Sequence, residues 1–438
     1  MKERNKKILT FYKRDQVLFD NIDKSTSKSP QKPYLLLQKI RNDGYSPMLT
    51  VDGNFKPFTQ SDFHLAHTKE YVNDVFVGKG NYTSNGVPWS KNLVTSLTYT
   101  NASIYNAIKH AIKNPEQVCF SPTSGFHHAG PKSGSGFCTF SGQVIASVKI
   151  YREFGLSGAY LDLDGHFGNS IEDSREFVKT LNKSVPKGCN INPHGTDKKY
   201  LKDFVNELKK LKKKILAGQI GYVVFCHGAD SHQDDDMGHQ CSTHYWLECS
   251  KAFYSWAKQI DQETGKNLPV TLALFGGYRR DDYNSVLSLH MNDLIQCSNI
   301  LLGNKFKEKL EVKPCEKYSS TTRWYDSDVK PTFTNRINSR TFQDNIVDDE
   351  DLFKEEVKDR EEMLSSGGYK RNSFIDYSDR DFDDESGRDG FDAIAELEKM
   401  RDEQFMWEKP SNKKHSSYKQ WFKEQNDKKR LELFGTTT

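Results

Sequence analysis

The stretch Gly158 to Asn169, GAYLDLDGHFGN, begins as a short apolar run and ends in acidic residues and a histidine. The apolar run predicts a buried strand. Side chains alternate between the two faces of a strand, so Asp162, Asp164 and His166 are expected to point the same way. Carboxylates and an imidazole on one face suit a divalent metal, and mixed oxygen and nitrogen ligands suit zinc. The alternative is a surface strand with scattered polar residues.

Three further polar clusters follow apolar runs that predict strands. The clusters are His127-His128, Asp230 and Gly276-Gly277-Tyr278, and the runs before them end at Phe120, Cys226 and Phe275. Strands that alternate with helices predict an α/β fold, with a single, mostly parallel sheet sandwiched by helices. Such sheets bind ligands at the carboxyl ends of their strands. Four clusters at strand ends therefore indicate one ligand site at that edge.

Apolar periodicity and turn signals predict the remaining elements. The other strands are expected at residues 8–12, 117–120, 221–226 and 270–275. The helices are expected at residues 34–40, 61–77, 93–112, 141–154, 173–181, 198–216, 243–260 and 282–300, with loops at 78–89 and 185–196.

Composition narrows the class of protein. The chain has 438 residues and a net charge of +3 from 63 basic and 60 acidic residues, which gives no case for direct nucleic-acid binding. Its eight cysteines form no close CxxC pair, so reduced thiols and a cytoplasmic location are expected, with a nuclear location left open. The early apolar run at residues 8–12 is too short to cross a membrane, and no membrane partner is expected.

The amino-acid composition of the sequence changes near residue 311. Acidic runs at residues 348–351 and 381–385 alternate with basic patches, and long apolar stretches stop. We expect a catalytic domain at residues 1–310 and a charged, partly disordered extension at 311–438 with short helices, such as one at 389–400. The extension is a candidate contact for another protein.

The polar clusters carry residue types that suit hydrolysis. Asp230 could complete a ligand set with Asp164 and His166, and three protein ligands leave the open position of a catalytic site. Histidines 127 and 128 suit proton transfer beside a metal-bound water. The phenol of Tyr278, after two glycines, can donate a hydrogen bond to a developing oxyanion.

Other interpretations of these residues are kept open. The histidine pair could lie on the surface, and Tyr278 could be a packed aromatic side chain. A second metal site could be built from the remaining histidines of this region, which are His227, His232, His239 and His244. We expect instead that these four are polar residues of loops and helices, because their spacing matches no closed ligand set.

The ordered set of motifs resembles the zinc-dependent histone deacetylase family. The motifs are His127-His128, Ser135-Gly-Phe-Cys138, Asp162-x-Asp164-x-His166, Gly228-Ala-Asp230 with Asp235 and Gly238, and Gly276-Gly-Tyr278. The resemblance covers roughly residues 8–303, including Ser29-Pro-x-Lys-Pro33 and His67 to Tyr71. It implies the arginase/deacetylase fold and hydrolysis of an N-acetyl amide on an amine.

The resemblance also implies roles for individual residues. The metal ligands would be Asp164, His166 and Asp230. The catalytic group would contain His128 as general base, His127 as its electrostatic partner oriented by Asp162, and Tyr278 to polarise the carbonyl. The substrate tunnel would be lined by Gly136, Phe137 and Met237. The cofactor would be Zn²⁺, with Fe²⁺ or Co²⁺ as alternatives.

Several positions depart from the family pattern. Phe167 replaces a second histidine after the ligand histidine, and Asn169 stands where some members orient the base with an aspartate. The loop that usually adds a second tunnel wall is Gly188 to His194, without an aromatic residue. Asn85 falls where many members that act on proteins place a rim aspartate. These departures bear on the substrate more than on the chemistry.

The expected function is removal of an acetyl or acyl group from the side-chain amine of lysine, in an acetylated protein or peptide, or from a similar amine. The alternatives are an acetylpolyamine deacetylase and a catalytically inactive deacetylase-like protein with a structural or binding role. A two-metal ureohydrolase is a weaker alternative, because residues 162–169 lack its Asp-x-His-x-Asp ligand pairs.

Overall fold

The chain folds around one parallel sheet in the computed structural model, which describes residues 2–19, 27–79, 86–123 and 125–315. The strands are β1 (Ile8–Phe11), β2 (Leu49–Asp52), β3 (Cys119–Ser121), β4 (Gly158–Asp162), β5 (Asn190–Ile191), β6 (Tyr222–His227) and β7 (Val270–Leu274). Their order is β2-β1-β3-β7-β6-β4-β5, and every pair of neighbours is parallel. The predicted α/β class is confirmed.

Helices connect the strands, as parallel pairing requires. They are α1 (Lys32–Asn42), α2 (Gln60–Phe63), α3 (Lys69–Val77), α4 (Lys91–Lys113), α5 (Gly142–Phe154), α6 (Ser170–Asp173), α7 (Leu181–Ser184), α8 (Asp197–Leu216), α9 (Thr243–Thr264) and α10 (Tyr283–Gln296). The helix α4 packs on α5, α8 on α9, and α1 on α10. Among the described helices none is long and apolar enough to span a bilayer.

The four central strands form the core and bring their carboxyl ends level. Every residue of β3, β4, β6 and β7 is buried, so both faces of this part of the sheet are covered. The register places Ser121, Ala273, Cys226 and Asp162 in one row across the sheet. The polar clusters that follow these four residues along the chain therefore start from the same edge.

Some predicted elements are wrong in extent. The helix expected at 61–77 is divided into α2 and α3, because Thr68 caps a new helix by accepting a hydrogen bond from the amide of Tyr71 (3.3 Å). The helix expected at 173–181 is replaced by the short helices α6 and α7 with turns between them. Two short strands, β2 and β5, were not predicted, and β5 lies within the expected loop at 185–196.

The chain beyond α10 continues to pack on the core. A π-helical turn, Cys297–Leu301, follows α10, and residues up to Cys315 are described. The predicted domain boundary at residue 310 stays a prediction, although contacts of residues 311–315 with the core are part of the structure. Residue 316 onward, with the predicted extension and its helix at 389–400, lies outside the described residues, and so does Asn85.

Candidate active site

The three predicted metal ligands meet at the ends of β4 and β6. One ligand-type atom from each of Asp164, His166 and Asp230 lies within 4.8 Å of the other two. Nδ1 of His166 is 3.0 Å from Oδ1 of Asp164 and 3.0 Å from Oδ2 of Asp230. In the part of the chain that the structure describes, no other histidine, cysteine or carboxylate groups gather in this way.

The ligands converge through a bend and not through alternation along a strand. The strand β4 ends at Asp162, and residues 164–166 form a bend. The expectation that Asp162, Asp164 and His166 share one face of a strand is therefore wrong. The amide of His166 donates to Oδ1 of Asp164 (3.0 Å), and the amide of Gly276 donates to Oδ2 (2.7 Å). These two bonds fix the orientation of the Asp164 carboxylate.

The donor set fits a divalent ion. The side chain of Asp230 is 0% exposed, and its Oδ1 has no hydrogen-bond partner. A buried polar atom without a partner costs about 1–3 kcal/mol, and more when charged, so this oxygen is suited to ligate a cation. A Cβ on Gly276 would lie 2.2–2.3 Å from atoms of this carboxylate, so only glycine fits there. Two carboxylates and one imidazole suit zinc and also iron or cobalt.

Two adjacent histidines stand beside the ligand group and differ in their partners. Nδ1 of His127 is 3.0 Å from Oδ2 of the buried Asp162. Nδ1 of His128 is 2.8 Å from Oδ1 of Asn169, whose amide group in turn donates to Asp173. An amide oxygen only accepts, so Nδ1 of His128 carries the proton and Nε2 is left as the basic nitrogen.

Opposite pKa shifts separate the two histidines. Burial lowers the pKa of His127, but the nearby carboxylates of Asp164 and Asp162 outweigh it and raise the pKa to about 9. Burial and the positive charge of His127 lower the pKa of His128 to about 3. The ring centroids are 4.0 Å apart. Near neutral pH the pair therefore consists of a charged His127 and a neutral His128, which is the form that can accept a proton.

The loop with Tyr278 follows β7 and faces the ligand group. The ring of Tyr278 lies 6.2 Å from that of His166, between centroids. Burial, with the negative charges of Asp164 and Asp230, holds the pKa of Tyr278 well above its ordinary value, so the phenol stays protonated as a donor. Oδ2 of Asp235 accepts from the amide of Tyr278 (2.7 Å) and from that of Arg279 (3.1 Å).

A tight turn presents the predicted tunnel wall. Residues Ser135 and Cys138 pair through their backbones, and the two residues between them, Gly136 and Phe137, have φ values of 48° and 62°. A Cβ on Gly136 would lie 2.5 Å from Cδ2 of His128, so the close approach requires glycine. The ring of Phe137 lies 5.4 Å from that of Tyr278, between centroids. The predicted wall therefore stands beside the predicted carbonyl-polarising residue.

Two apolar side chains near the ligands are exposed. Met237 is 40% exposed and Phe167, next to the ligand His166, is 61% exposed. The loop that was expected to face Phe137 contributes no aromatic ring. Its Asn192 accepts a hydrogen bond from the amide of Gly168 (2.7 Å) and so supports the ligand loop.

The remaining histidines of this region do not form a second metal group among the described residues. His227 stacks on Trp246, with ring centroids 3.7 Å apart. Nε2 of His232 lies 2.8 Å from the hydroxyl of Thr243, and Nδ1 of His239 lies 2.9 Å from a backbone carbonyl oxygen. His244 packs beside Tyr245. His232 and His239 lie between β6 and α9, and His244 lies on α9, as expected, but His227 is the buried last residue of β6, so the expectation was wrong for it.

One buried residue of the site had no predicted role. The ammonium of Lys32 is 0% exposed and donates to the carbonyl oxygen of Gly276 (2.8 Å) and to that of Phe275. Burial lowers its pKa to about 8, against the opposing effect of Asp230 and Asp164. The only signal in the sequence was its place in the Ser29-to-Pro33 motif, since the loop it supports is 244 positions away.

Comparison with known proteins finds a similarity to histone deacetylases. The model of the histone deacetylase domain matches residues 26–185, which include the histidine pair and two of the ligands. Residues 26–185 of this chain are thus similar to the histone deacetylase domain. Of the solved structures, the HD domain of HDA15 superposes with a TM-score of 0.53 at 16% identity, covering 68% of this chain and 90% of that one. At this identity the likeness shows the fold.

Curated histone deacetylases match shorter segments. Histone deacetylase 8 of Xenopus laevis is 29% identical over 82 residues, which are 18% of this chain and 25% of that protein. Chloroplastic histone deacetylase 14 of Arabidopsis thaliana is 28% identical over 137 residues, which are 28% of this chain and 32% of that protein. The matched segments thus span between a quarter and a third of these two histone deacetylases.

Proposed function

We propose that this chain is a metal-dependent deacetylase that removes an acetyl or acyl group from the side-chain amine of lysine. The observation that carries the proposal is the meeting, at one edge of the sheet, of a candidate metal triad with the rings of His128 and Tyr278, whose centroids lie 6.0 and 6.2 Å from that of His166. Asp164, His166 and Asp230 would hold the ion, which we propose to be zinc, with iron or cobalt as alternatives. A bound ion of this kind lowers the pKa of water and polarises a carbonyl.

The protein's own groups would move the proton and stabilise the charge. Nε2 of His128 takes a proton from the attacking water as the oxygen–carbon bond forms. The charged His127, held by Asp162, favours the negative charge that develops, and the hydroxyl of Tyr278 donates a hydrogen bond to the oxyanion. When the carbon–nitrogen bond breaks, the proton on His128 passes to the leaving nitrogen. The acyl group leaves as a carboxylic acid, which gives its remaining proton to the released amine, so the products are a carboxylate and an ammonium.

The residue at the mouth of the predicted substrate tunnel, Met237, favours acyl-lysine over an acetylated polyamine as the substrate. A cationic polyamine would gain from a carboxylate at the mouth, because an opposite charge offsets the partial dehydration of an ammonium. The exposed residue here is Met237, which is apolar. Asp234 is buried, and Asp236 accepts a hydrogen bond from the amide of Arg280 (2.9 Å). The exposed apolar side chain of Met237 is thus the feature that supports acyl-lysine.

We therefore expect the zinc-loaded protein to hydrolyse an acetyl-lysine peptide with a higher kcat/KM than N8-acetylspermidine. Metal content and steady-state kinetics on the two substrates are the measurements. The matched variant Met237→Glu adds one carboxylate at the exposed position and should shift the preference toward the polyamine. A wild-type preference for the polyamine would contradict the substrate assignment, and a fully metal-loaded protein without turnover on either would favour a binding role.

The pH profile depends on Asn169, which is the neutral partner of His128. Replacing it by aspartate places a negative charge on Nδ1–H of His128, which favours the protonated imidazole and raises its pKa. Because activity requires the neutral base, the acidic limb of the kcat/KM profile should move to higher pH, by about one to two units. A pH–rate profile of Asn169→Asp beside the wild type measures the shift. An acidic limb that stays in place would mean that another group acts as the base.

We also propose a cytoplasmic setting for the enzyme. All eight cysteines lie within the described residues, and each is buried and free of a disulfide. Such thiols are typical of a reducing compartment. The extension that begins near residue 311 is proposed as the contact for a protein partner, on the basis of its composition.

A further inference from the structure

The chain returns along α10 after that helix ends, in a segment that we call the strap, residues 309–315. Lys309 exchanges backbone hydrogen bonds with the side chain of Asn292, at 2.8 and 3.2 Å. The amide of Glu311 donates to Oγ of Ser288 (2.7 Å), and the amide of Lys313 donates to Oγ of Ser285 (3.0 Å).

The spacing of these bonds shows a regular attachment. Alternate residues of the strap, 309, 311 and 313, face the helix, as an extended chain requires. The helix residues 285, 288 and 292 are spaced by three and four, so they form one row on its surface. The strap is also held from α1, where Nζ of Lys39 lies 2.7 Å from Oε2 of Glu311. Its last residue, Cys315, is buried.

The strap reaches the Tyr278 loop through one arginine. Arg279 is 2% exposed, and its guanidinium donates to the carbonyl oxygen of Lys313 and to both carboxylate oxygens of Asp281 (3.0 Å each). Its backbone amide shares Oδ2 of Asp235 with the amide of Tyr278. A continuous set of hydrogen bonds therefore joins the strap to the residue that carries the phenol.

The loop needs such support. Tyr278 follows Gly276 and Gly277, and two successive glycines leave the backbone free to move. A misplacement of about 1 Å of a catalytic group can cost about a hundredfold in rate. Lys32 binds the carbonyl oxygen of Gly276, and Asp235 binds the amide of Tyr278. Only Arg279 among these side chains connects the loop to the strap.

We propose that Arg279 is a positioning residue for Tyr278, and that the strap is part of the catalytic unit because it anchors this arginine. The proposal rests on the proposed deacetylation, for which Tyr278 stabilises the oxyanion. It places the functional end of the catalytic unit at Cys315 or later, five residues or more beyond the boundary expected from composition.

The test is a double-mutant cycle in the full-length, metal-loaded protein. Arg279→Gln should lower kcat on an acetyl-lysine peptide by about tenfold to a hundredfold, with metal content unchanged. KM should stay within about twofold, since the phenol acts in the transition state. In the Tyr278→Phe background the same substitution should cost less than about twofold, because the hydroxyl that it positions is gone. The matched control is Arg280→Gln, at the exposed neighbour, which should leave kcat unchanged.

A second measurement does not depend on turnover. Amide hydrogen exchange in residues 276–281 should be faster in Arg279→Gln and in Ser288→Ala, which removes one bond of the strap, and unchanged in Arg280→Gln. Arg279→Lys keeps the charge but lacks the planar fork through which three nitrogens of Arg279 reach Lys313 and both oxygens of Asp281. Its exchange rate and kcat should lie between those of the wild type and Arg279→Gln, and it replaces Arg279→Gln if that variant does not fold. Fully additive losses in the cycle, or unchanged exchange in 276–281, would overturn the proposal. If the wild type is inactive but exchange in residues 276–281 still depends on Arg279 and Ser288, the proposed function is overturned and the contact between strap and loop is not.

Discussion

Replacing Asp230 by asparagine is expected to remove the metal and, with it, all measurable deacetylation. The substitution keeps the volume of the side chain, which matters because a Cβ on Gly276 or Gly228 would lie within 2.2–2.3 Å of the Asp230 carboxylate. It removes the negative charge and one oxygen ligand from a set of three. Loss of a direct ligand should weaken binding by more than the roughly tenfold to hundredfold of an outer partner.

Metal analysis after dialysis and calorimetric titration with zinc measure this effect. The matched control is Asp203→Asn, a carboxylate on α8 that is paired with the exposed His194 and lies outside the ligand group. The control should retain full metal content and turnover. Full occupancy and normal kcat in Asp230→Asn would show that the ion, or the reaction, does not depend on this triad.

Replacing Tyr278 by phenylalanine should keep the metal and lower kcat by about a hundredfold to a thousandfold. The substitution removes one hydroxyl and leaves the ring, so the contact with Phe137 is preserved. The raised pKa of Tyr278 keeps its hydroxyl protonated near neutral pH, as a donor to an oxyanion must be. KM should change little, because the interaction is made mainly in the transition state.

Steady-state kinetics and metal content of Tyr278→Phe should be compared with those of Tyr283→Phe. The hydroxyl of Tyr283 is buried and has no hydrogen-bond partner in the structure, so the control removes a phenol oxygen from the next element. We expect the control to keep its kcat. If Tyr278→Phe also keeps its kcat, Tyr278 is a packed aromatic side chain and the oxyanion is stabilised elsewhere.

Apolar runs in the sequence correctly predicted the strands that carry the site. The strands β4, β6 and β7 are buried on both faces, and burial on both faces leaves a nearly continuous apolar run that can be recognised locally. The polar residues that follow these runs could also be recognised in the sequence, because they interrupt an apolar pattern. Short elements such as β2 and β5 carry too few residues for a pattern, and they were not predicted.

The supports of the site could not be predicted from local patterns. Lys32 contacts a loop 244 positions away, and Arg279 contacts Lys313 across 34 positions and the length of α10. A buried lysine and a buried arginine look like surface residues in a sequence, because these residue types are mostly exposed. Only their partners, which are backbone carbonyl oxygens and carboxylates, explain why they are buried.

The sequence by itself determined the α/β class, the buried strand that begins at Gly158 and the residue types of the candidate site. The tertiary structure decided which strands are neighbours: β3 lies beside β7, and β6 beside β4, although neither pair is consecutive in the chain. It also decided that Asp164 and His166 converge with Asp230 through a bend. The physical reason is that an apolar pattern records whether a segment is buried, whereas the order of parallel strands depends on how the connecting helices pack, over distances that no local pattern contains.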